Sequence, residues 1–315
     1  MKSLTFGLRP IPPFRLDLTA WALRRRGRNI VDRWSAGSYH RVVMIEGSTL
    51  DVAVTQIGSV ERPRLEVTVT GKLTPSTGSA IAQSLVRMLG LRTDLRPFYV
   101  IAVRDRRLAP LVEQFRGLKP PRFPSVFEGL VNATACQQLS LTVGIELLNR
   151  IVARYGPSIV VAGGKQHAFP RPEDILRAKA SAFRGLGFSY SKAHSLLDLS
   201  QKIVSAKFNP EQLVSWDNIS AVEMLQTLRG VGRWTAEYVL LRGLGRLDTF
   251  PGDDVGARNR LAGWLGRDKP LDYEGVKRAV HRWQPYAGMA YFHLLLAGLT
   301  ETGEMPSKNG MQLTA

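Results

Sequence analysis

The chain has 315 residues, of which 44% are hydrophobic, and this is enough for two domains with cores of their own. Its 43 Lys and Arg against 26 Asp and Glu give a formal net charge of +17. Such a basic excess favours a polyanionic partner, and a merely solvated basic surface is the plain alternative. The single cysteine, Cys136, excludes an internal disulfide framework and a four-cysteine iron–sulfur cluster.

The composition and pattern of the N-terminus predict no export or membrane segment. Pro10, Pro12 and Pro13 interrupt the first residues, which contain no apolar signal core. No apolar stretch approaches the roughly 18 residues that a bilayer-spanning helix needs. We therefore expect a cytoplasmic protein, or one in whichever compartment holds its partner.

Residues 1–118 are predicted to form a small α+β domain. Apolar residues alternate with polar ones over 50–54 and 65–69, which is the period of half-buried strands. Residues 79–89 then carry apolar side chains at helical spacing. The proline-rich segment 119–124 reads as a linker between this domain and the next.

Residues 119–300 are predicted to form a second, all-α domain, and residues 301–315 a loose tail. Prolines 170, 172, 210, 251 and 285 stand at the gaps or starts of the predicted helices, where proline does least harm. The predicted helices cover residues 126–135, 141–155, 173–184, 189–200, 221–228, 233–242, 254–265, 273–283 and 288–299.

A glycine-containing turn separates two of these helices. Gly230 and Gly232 permit a tight reversal between them, and the amides of Gly230, Val231 and Gly232 come close to any ligand at the start of the next helix. Together with Arg233 and Thr235 they form a candidate anion site suited to a DNA phosphate. A breaker-rich stretch over 243–251 then leads to Asp254, which a second helix return brings near the same site.

This pattern resembles the helix-hairpin-helix DNA glycosylases, and within them the 3-methyladenine DNA glycosylase II type. The resemblance rests on the hairpin 228–232, on the run Trp234-Thr235-Ala236 with an aromatic at Tyr238, and on the Gly/Pro-rich loop that ends in two aspartates. Residues 127–140 are similar to the Gln-Gln-x-Ser helix junction of this family, and residues 186–193 match a further shared stretch. The likeness covers most of residues 125–300. It implies a small antiparallel sheet-and-helix domain followed by catalytic helices.

The resemblance implies that Asp254 is the catalytic carboxylate. An enzyme that releases a base from duplex DNA first flips it out of the stack. Positive charge then builds on the sugar, and a nearby carboxylate stabilises that charge and orients the attacking water. The structural alternative is that Asp253 or Asp254 only caps the helix that follows, and here Asp253 is the expected pure cap.

A flipped, electron-poor base is expected to stack on aromatic rings. Trp234 and Tyr238 lie four residues apart on one helix and so face the same way, although core packing is an equal alternative for Trp234. Trp21 and Leu295 are the other residues expected in the base pocket. Leu295 stands where relatives have a pocket tryptophan, and Val255 where they have tyrosine, which leaves open a shift from broad alkylpurine release toward hypoxanthine or a methylated adenine.

Other residues are expected to contact DNA. Gln138 or Leu139 is expected to fill the gap left by the flipped base, unless Gln137 and Gln138 only cap the neighbouring helices. Arg258 is a further expected DNA contact. The arginines at 24, 25, 26 and 28 form either a DNA-facing patch or an ordinary solvated face.

The resemblance implies no required cofactor. In this family, backbone carbonyls of the hairpin hold a structural monovalent cation, and here these are the carbonyls of Gln226, Leu228 and Val231. The five histidines show no spacing typical of a metal site.

The expected function is a monofunctional glycosylase that removes alkylated or deaminated purines from double-stranded DNA in base excision repair. Relatives that also cut the strand use a lysine at the position of Trp234. One alternative is a bifunctional glycosylase and lyase. The other is a non-catalytic helix-hairpin-helix DNA-binding protein, but such binding modules lack the downstream aspartates that include Asp254. A monomer is expected because one flipped base needs one pocket.

Overall fold

The computed structural model describes residues 2–161 and 163–306. Its N-terminal part contains five strands and four helices. These are β1 (Lys2–Leu8), α1 (Leu16–Arg24), β2 (Arg33–Ser35), β3 (Ser38–Ile45), β4 (Ser48–Gln56), β5 (Leu65–Gly71), α2 (Thr77–Met88), α3 (Arg96–Val103) and α4 (Leu108–Gln114).

The five strands form one antiparallel sheet in the order β1-β5-β4-β3-β2. In β4, Val52 and Val54 lie opposite Val69 and Val67 of β5, and all four side chains are buried. The alternating apolar residues therefore supply one sheet face, which packs on α1 and α2. The predicted antiparallel sheet-and-helix architecture is confirmed.

The rest of the described chain is mainly helical. Its elements are α5 (Val126–Cys136), α6 (Leu141–Tyr155), β6 (Ser158–Val161), β7 (Gly164–His167), α7 (Pro172–Leu176), α8 (Ala180–Gly185), α9 (Tyr190–Val204), α10 (Asn218–Gln226), α11 (Arg233–Val239), α12 (Val255–Trp264), α13 (Tyr273–Val280) and α14 (Ala287–Glu301). Two short 3₁₀ turns cover Pro210–Ser215 and His281–Trp283.

The prediction of helices alone after residue 120 is wrong at one place, where β6 and β7 form a hairpin. The run Ser158-Ile-Val-Val161 is rich in β-branched residues, and Gly164 adopts a φ of +97° at the turn. A parallel bridge between Val42 and Ala168 ties the end of this hairpin to the main sheet. A local reading missed it because the strands are only four residues long.

Two predicted helices are also divided. The helix predicted over 173–184 is two helices, because Lys179 takes an extended conformation between α7 and α8. The helix predicted over 233–242 is α11 followed by a π-helical segment, Leu240–Leu244, which ends at Gly245 with a φ of +80°. Segments of this kind occur frequently at functional sites.

Buried apolar residues form three clusters. One lies under the sheet, one joins α5 to α11, and the third joins α1, α3 and α4 to α12, α13 and α14. The C-terminal helices thus pack against helices from the first 118 residues. Within the segment predicted as a loose tail, Met305 is buried in the third cluster, and residues 307–315 lie outside the described part of the chain.

A buried ion-pair network connects the sheet to the helices. Arg41 of β3 donates hydrogen bonds of 2.7 Å to Asp32 and of 2.7 and 2.6 Å to the two carboxylate oxygens of Glu128 in α5. The hydroxyl of Tyr39 donates to the same Asp32 oxygen at 2.7 Å. All four side chains are almost fully buried, so removing the cation leaves two carboxylates without their partner.

We predict that Arg41→Met lowers the free energy of unfolding by about 3–5 kcal/mol, because it strands two buried carboxylates. Urea unfolding of the full chain measures the change. Arg33→Met is the matched control, since Arg33 pairs with the partly exposed Asp51, and its expected loss is below about 1 kcal/mol. Equal losses for the two variants contradict the importance of the network.

A buried histidine lies in the third cluster. His293 of α14 is 1% exposed, its ring centroid lies 5.5 Å from that of Phe98, and its Nδ1 lies 2.7 Å from the carbonyl oxygen of Met289. Burial lowers the pKa of His293 to about 4. The folded chain therefore keeps this ring neutral at pH values where the unfolded chain protonates it.

We predict that this histidine makes stability depend on pH. The contribution of His293 to the free energy of unfolding is complete above the unfolded pKa of about 6.5. It is lost as the pH falls toward the folded pKa of about 4. Between about pH 7 and pH 5 the loss amounts to about 2 kcal/mol. Chemical denaturation at the two pH values measures the loss. His293→Phe removes the titration, so this variant is expected to lose about 2 kcal/mol less over the same interval; an unchanged pH dependence rules out His293 as its source.

Candidate active site

A cleft of about 990 Å³ opens between the second and third apolar clusters. The turn between α5 and α6, the start of α9 and the turn between α10 and α11 line one wall. The start of α12, one face of α14 and the chain just after α1 line the other. The structure brings most of the predicted site residues together here, namely Gln138, Leu139, Gly230, Gly232, Trp234, Thr235, Tyr238, Asp254 and Leu295.

Four residues predicted for the base pocket or for DNA contact do not line the cleft, namely Trp21, Val231, Arg233 and Arg258. Trp21 is 5% exposed and packs in the third apolar cluster, so its ring lies outside the lining of the cleft. Arg233 forms an ion pair of 2.6 Å with Asp253, and its guanidinium lies 3.7 Å from the ring centroid of Tyr273. Arg258 lies one turn into α12, and its backbone N–H donates to the carbonyl of Asp254 at 2.7 Å.

Asp254 caps α12 and faces the cleft at the same time. Its Oδ1 accepts the backbone N–H of Ala257 at 2.9 Å, whereas Oδ2 lies 3.3 Å from Nε1 of Trp234 and 3.4 Å from the hydroxyl of Tyr291. One oxygen is therefore held by the helix, and the other is directed to the pocket side. The expectation that Asp253 is the pure cap is wrong, because Asp253 pairs with Arg233 instead.

A second network fixes the loop that carries Asp254. One oxygen of Glu237 accepts the hydroxyl of Tyr273 at 2.6 Å, and the other accepts the backbone N–H of Gly252 at 3.0 Å. Burial raises the pKa of Glu237, although both hydrogen bonds oppose that rise. The loop before Asp254 is thus tied to α11 by Glu237 and to α13 by Tyr273. Sequence reasoning did not identify either residue.

The hairpin between α10 and α11 depends on Gly230. This residue has a φ of +75°, and a Cβ atom there would lie 2.4 Å from Oγ of Ser195 in α9. Gly232 has an ordinary φ of −100°, and nothing lies within 4 Å of an added Cβ. The first glycine is therefore required by backbone angle and close packing, and the second leaves open space in front of the amides of α11.

The turn between α5 and α6 lies against this hairpin. Gln138 takes a φ of +55°, and the side chains of Gln138 and Leu139 are exposed to the cleft. Gln137 donates from Nε2 to the carbonyl of Gly230 and to Oγ1 of Thr235, both at 2.8 Å. The two turns are thereby fixed to each other by the side chain of Gln137, while its backbone N–H donates to the carbonyl of Ala133 as the C-cap of α5.

Two neighbouring side chains support the same turn. Nζ of Lys192 donates to the carbonyls of Ala135 and Gln137 at 3.1 and 2.7 Å. Ser140 caps α6 by accepting the backbone N–H of Val143. The helix that follows is therefore capped by Ser140, which leaves Gln138 and Leu139 free to project.

The pocket is lined by two aromatic residues predicted from the sequence and one that was not. The rings of Trp234 and Tyr238 lie 5.5 Å apart, and Tyr238 is 3% exposed. Tyr291 of α14 faces them across Asp254. It lies four residues before Leu295 on the same helix, so the spacing of these two residues was a signal that sequence reasoning could have used.

The arginines at the end of α1 do not form a single exposed patch. Arg24 and Arg26 bond to backbone carbonyls, and Arg26 also contacts Thr142. Arg28 is 86% exposed. Arg25 is 3% exposed and lies at the bottom of the cleft, where it donates to the hydroxyl of Tyr238 at 2.8 Å.

The hairpin carbonyls fit the predicted cation site in part. The carbonyl of Leu228 already accepts the N–H of Val231 at 3.1 Å. Among the described residues, those of Gln226 and Val231 accept no backbone hydrogen bond outside the helices. No group of three or more His, Cys, Asp or Glu side chains that suits a metal ion occurs in residues 2–161 and 163–306.

Three features meet in one cleft: a helical hairpin, a projecting turn and a carboxylate that caps a helix. This combination defines a helix-hairpin-helix protein that acts on DNA. The profile of the HhH-GPD superfamily of base excision DNA repair proteins matches residues 131–285. The chain belongs to this superfamily, as the sequence resemblance implied, and it is a DNA glycosylase of base excision repair.

Individual relatives agree with this assignment. The DNA-3-methyladenine glycosylase of Bacillus subtilis is 28% identical over 65% of this chain and 67% of its own length. The structure of the 3-methyladenine DNA glycosylase of Archaeoglobus fulgidus is similar with a TM-score of 0.81, at 27% identity over 94% of this chain and 98% of that one. The 3-methyladenine DNA glycosylase of Schizosaccharomyces pombe in complex with abasic DNA gives a TM-score of 0.55, at 25% identity over 65% and 98% of the two chains. The last of these relatives was thus solved with DNA bound, which supports DNA binding by the present chain.

None of the helices in the described part of the chain has the length and apolar character that a membrane crossing requires.

We predict that the two hairpin glycines respond differently to alanine. Gly230→Ala is expected to cost about 1–3 kcal/mol of stability, because it forces a positive φ on alanine and presses its Cβ on Ser195. Gly232→Ala is expected to stay within about 0.5 kcal/mol of wild type. Thermal unfolding measures both, and equal losses contradict the assigned roles.

Proposed function

We propose that this glycosylase hydrolyses the N-glycosidic bond of a damaged purine flipped out of double-stranded DNA, and that Asp254 supplies the carboxylate. The observation that carries the proposal is the placement of Asp254, with one oxygen held by Ala257 and the other facing the pocket beside Trp234 and Tyr291. The names of the relatives point to an alkylated purine, 3-methyladenine, as one substrate.

Extruding the base costs a few kcal/mol of stacking and leaves a gap in the duplex. Gln138 and Leu139 project from a turn that Lys192 and Gln137 hold in place, so either side chain is positioned to enter that gap. The amides of Gly230 and Gly232 lie beside this turn and are available to a backbone phosphate, whereas that of Val231 is donated to the carbonyl of Leu228.

The flipped base enters between Trp234, Tyr238 and Tyr291. As the bond to the base lengthens, positive charge develops on the sugar, and Oδ2 of Asp254, which accepts from Trp234 and Tyr291, stabilises it. The same oxygen accepts a proton from the water that attacks the sugar. Because Ala257 holds the other oxygen, the carboxylate needs no rearrangement when the charge forms.

The proposal includes hydrolysis without strand cleavage. Trp234 stands at the position where strand-cutting relatives carry lysine. Lys192 is a lysine that lines the cleft, and burial lowers its pKa, but its ammonium is occupied by the carbonyls of Ala135 and Gln137. It therefore acts as a clamp on the projecting turn.

The proposal includes a monomeric enzyme that acts in the compartment that contains the DNA and requires no cofactor. A monovalent cation at the hairpin would be held by the carbonyls of Gln226 and Val231, with that of Leu228 already shared with an N–H group. Such an ion strengthens the grip on a phosphate by adding positive charge at the turn.

We predict that Asp254→Asn lowers single-turnover base release from an alkylated duplex at least about 100-fold, since it removes the charge that stabilises the sugar. Asparagine caps helices as well as aspartate, so α12 is expected to remain folded. Asp272→Asn is the matched control, because Asp272 caps α13 through Gly275 outside the cleft, and it is expected to release base at the wild-type rate.

Strand breaks are scored before and after alkali in the same samples. Breaks that appear only after alkali support a monofunctional enzyme. Breaks without alkali, together with a borohydride-trapped adduct that Lys192→Gln abolishes, contradict the hydrolytic proposal. Tight DNA binding without release of any alkylated or deaminated base supports the binding-module alternative.

A further inference from the structure

A buried guanidinium lies at the bottom of the cleft and has no part in the mechanism above. Arg25 follows α1 with a φ of +62°, a conformation that a non-glycine residue adopts at a cost. Its side chain donates to the hydroxyl of Tyr238 at 2.8 Å and to Oδ1 of Asn132 at 2.5 Å, whereas Nε has no partner. Among the described residues no carboxylate forms an ion pair with it.

A second buried cation lies behind the same tyrosine. Arg242, in the π-helical segment, is fully buried, and its guanidinium lies 5.7 Å from the ring centroid of Tyr238. One nitrogen donates to the carbonyl of Ala22, and the other two lack partners. Buried charges are normally paired. Arg25 and Arg242 therefore place positive charge on this side of the cleft, where Asp32 acts on both guanidiniums and Asp254 carries the opposite charge in the same pocket.

The hydrogen bond from Arg25 also decides what Tyr238 can offer a base. Because its oxygen accepts from Arg25, the phenolic hydrogen points elsewhere, and no described residue accepts it. Burial raises the pKa of Tyr238, so the phenol keeps its proton. Tyr238 thus presents a hydrogen-bond donor to the cleft that it lines.

We infer that the pocket selects neutral purines with a carbonyl at position 6, such as hypoxanthine, over cationic N-alkylated adenines, and that Tyr238 and Arg25 set this preference. The inference rests on the proposed function. A 6-oxo group accepts the hydrogen bond that Tyr238 donates, whereas the amino group of an adenine cannot. Arg25 holds the oxygen of Tyr238 as an acceptor and so leaves the phenolic hydrogen for this contact.

The same groups assist departure of a neutral base. The bond between N9 and C1′ breaks, its electron pair stays on the purine, and negative charge spreads toward the 6-oxo oxygen. Tyr238 and Arg25 stabilise that charge. Water adds its hydroxyl to C1′, and its proton passes through Asp254 to the released base. A cationic alkylated base leaves as a neutral molecule and gains nothing from a donor there.

The test compares single-turnover release of hypoxanthine from a duplex with one such base, and of 3-methyladenine from the same duplex after methylation. Each rate is divided by its uncatalysed rate. Wild type is expected to give the larger acceleration for hypoxanthine. Tyr238→Phe, which keeps the ring and removes the donor, is expected to lower the ratio of the two accelerations at least about tenfold.

Tyr155→Phe is the matched control, since Tyr155 stacks on Phe183 away from the cleft, and it is expected to leave the ratio unchanged. Arg25→Met is expected to lower the ratio as well, and Arg25→Lys to restore part of it through the retained charge. If Arg25→Met does not fold, Tyr238→Phe still decides the matter, because it keeps the ring packing and leaves Arg25 its hydrogen bond to Asn132.

Equal losses for both bases in Tyr238→Phe, or a larger wild-type acceleration for 3-methyladenine, overturn the inference. Such results leave the proposed function intact, because bases are still released and Asp254→Asn still abolishes release. Failure to release either base, with DNA bound tightly, instead overturns the proposed function itself.

Discussion

The hydrogen bond from the Ala257 amide to Asp254 is the contact on which the rest of the cleft depends. It closes the first turn of α12 and fixes one carboxylate oxygen, so the other can only face Trp234 and Tyr291. From the sequence alone, capping α12 and catalysis appear to be alternative roles for Asp254. They are compatible here because a carboxylate has two oxygens, and the helix uses only one.

The carboxylate is useful only if the walls of the cleft keep their spacing. One wall belongs to the apolar cluster of α5 to α11, and the other belongs to the cluster of α12 to α14 with α1, α3 and α4. Glu237 bridges them by holding Gly252 and Tyr273, while Gln137 locks the projecting turn to the hairpin. These are polar contacts at the edge of two well-packed cores, which makes the cleft a preformed site.

Features with a local cause could be predicted from the sequence, and features with a distant cause could not. The 3.6-residue period placed α6 at its observed limits, and the four-residue spacing put Trp234 and Tyr238 in one pocket. The role of Asp253 was missed, because its partner Arg233 lies twenty residues away. The run of arginines around Arg25 predicts a DNA-facing patch or a solvated face, and the structure buries this residue instead. Its burial depends on Asn132 and Tyr238, which are 107 and 213 residues away.

The high net charge of the chain does not by itself describe the pocket. Many arginines are bonded to other groups of the protein, and the charges that act on Tyr238 are those of Arg25, Arg242 and Asp254. Stacking on aromatic rings favours a cationic base by roughly 0.5–2 kcal/mol. Arg25 and Arg242 oppose a cationic base, whereas the carboxylate of Asp254 in the same pocket attracts it. These charges act in opposite directions, so the hydrogen bond that Tyr238 can donate distinguishes bases by the atom at position 6 rather than by their charge.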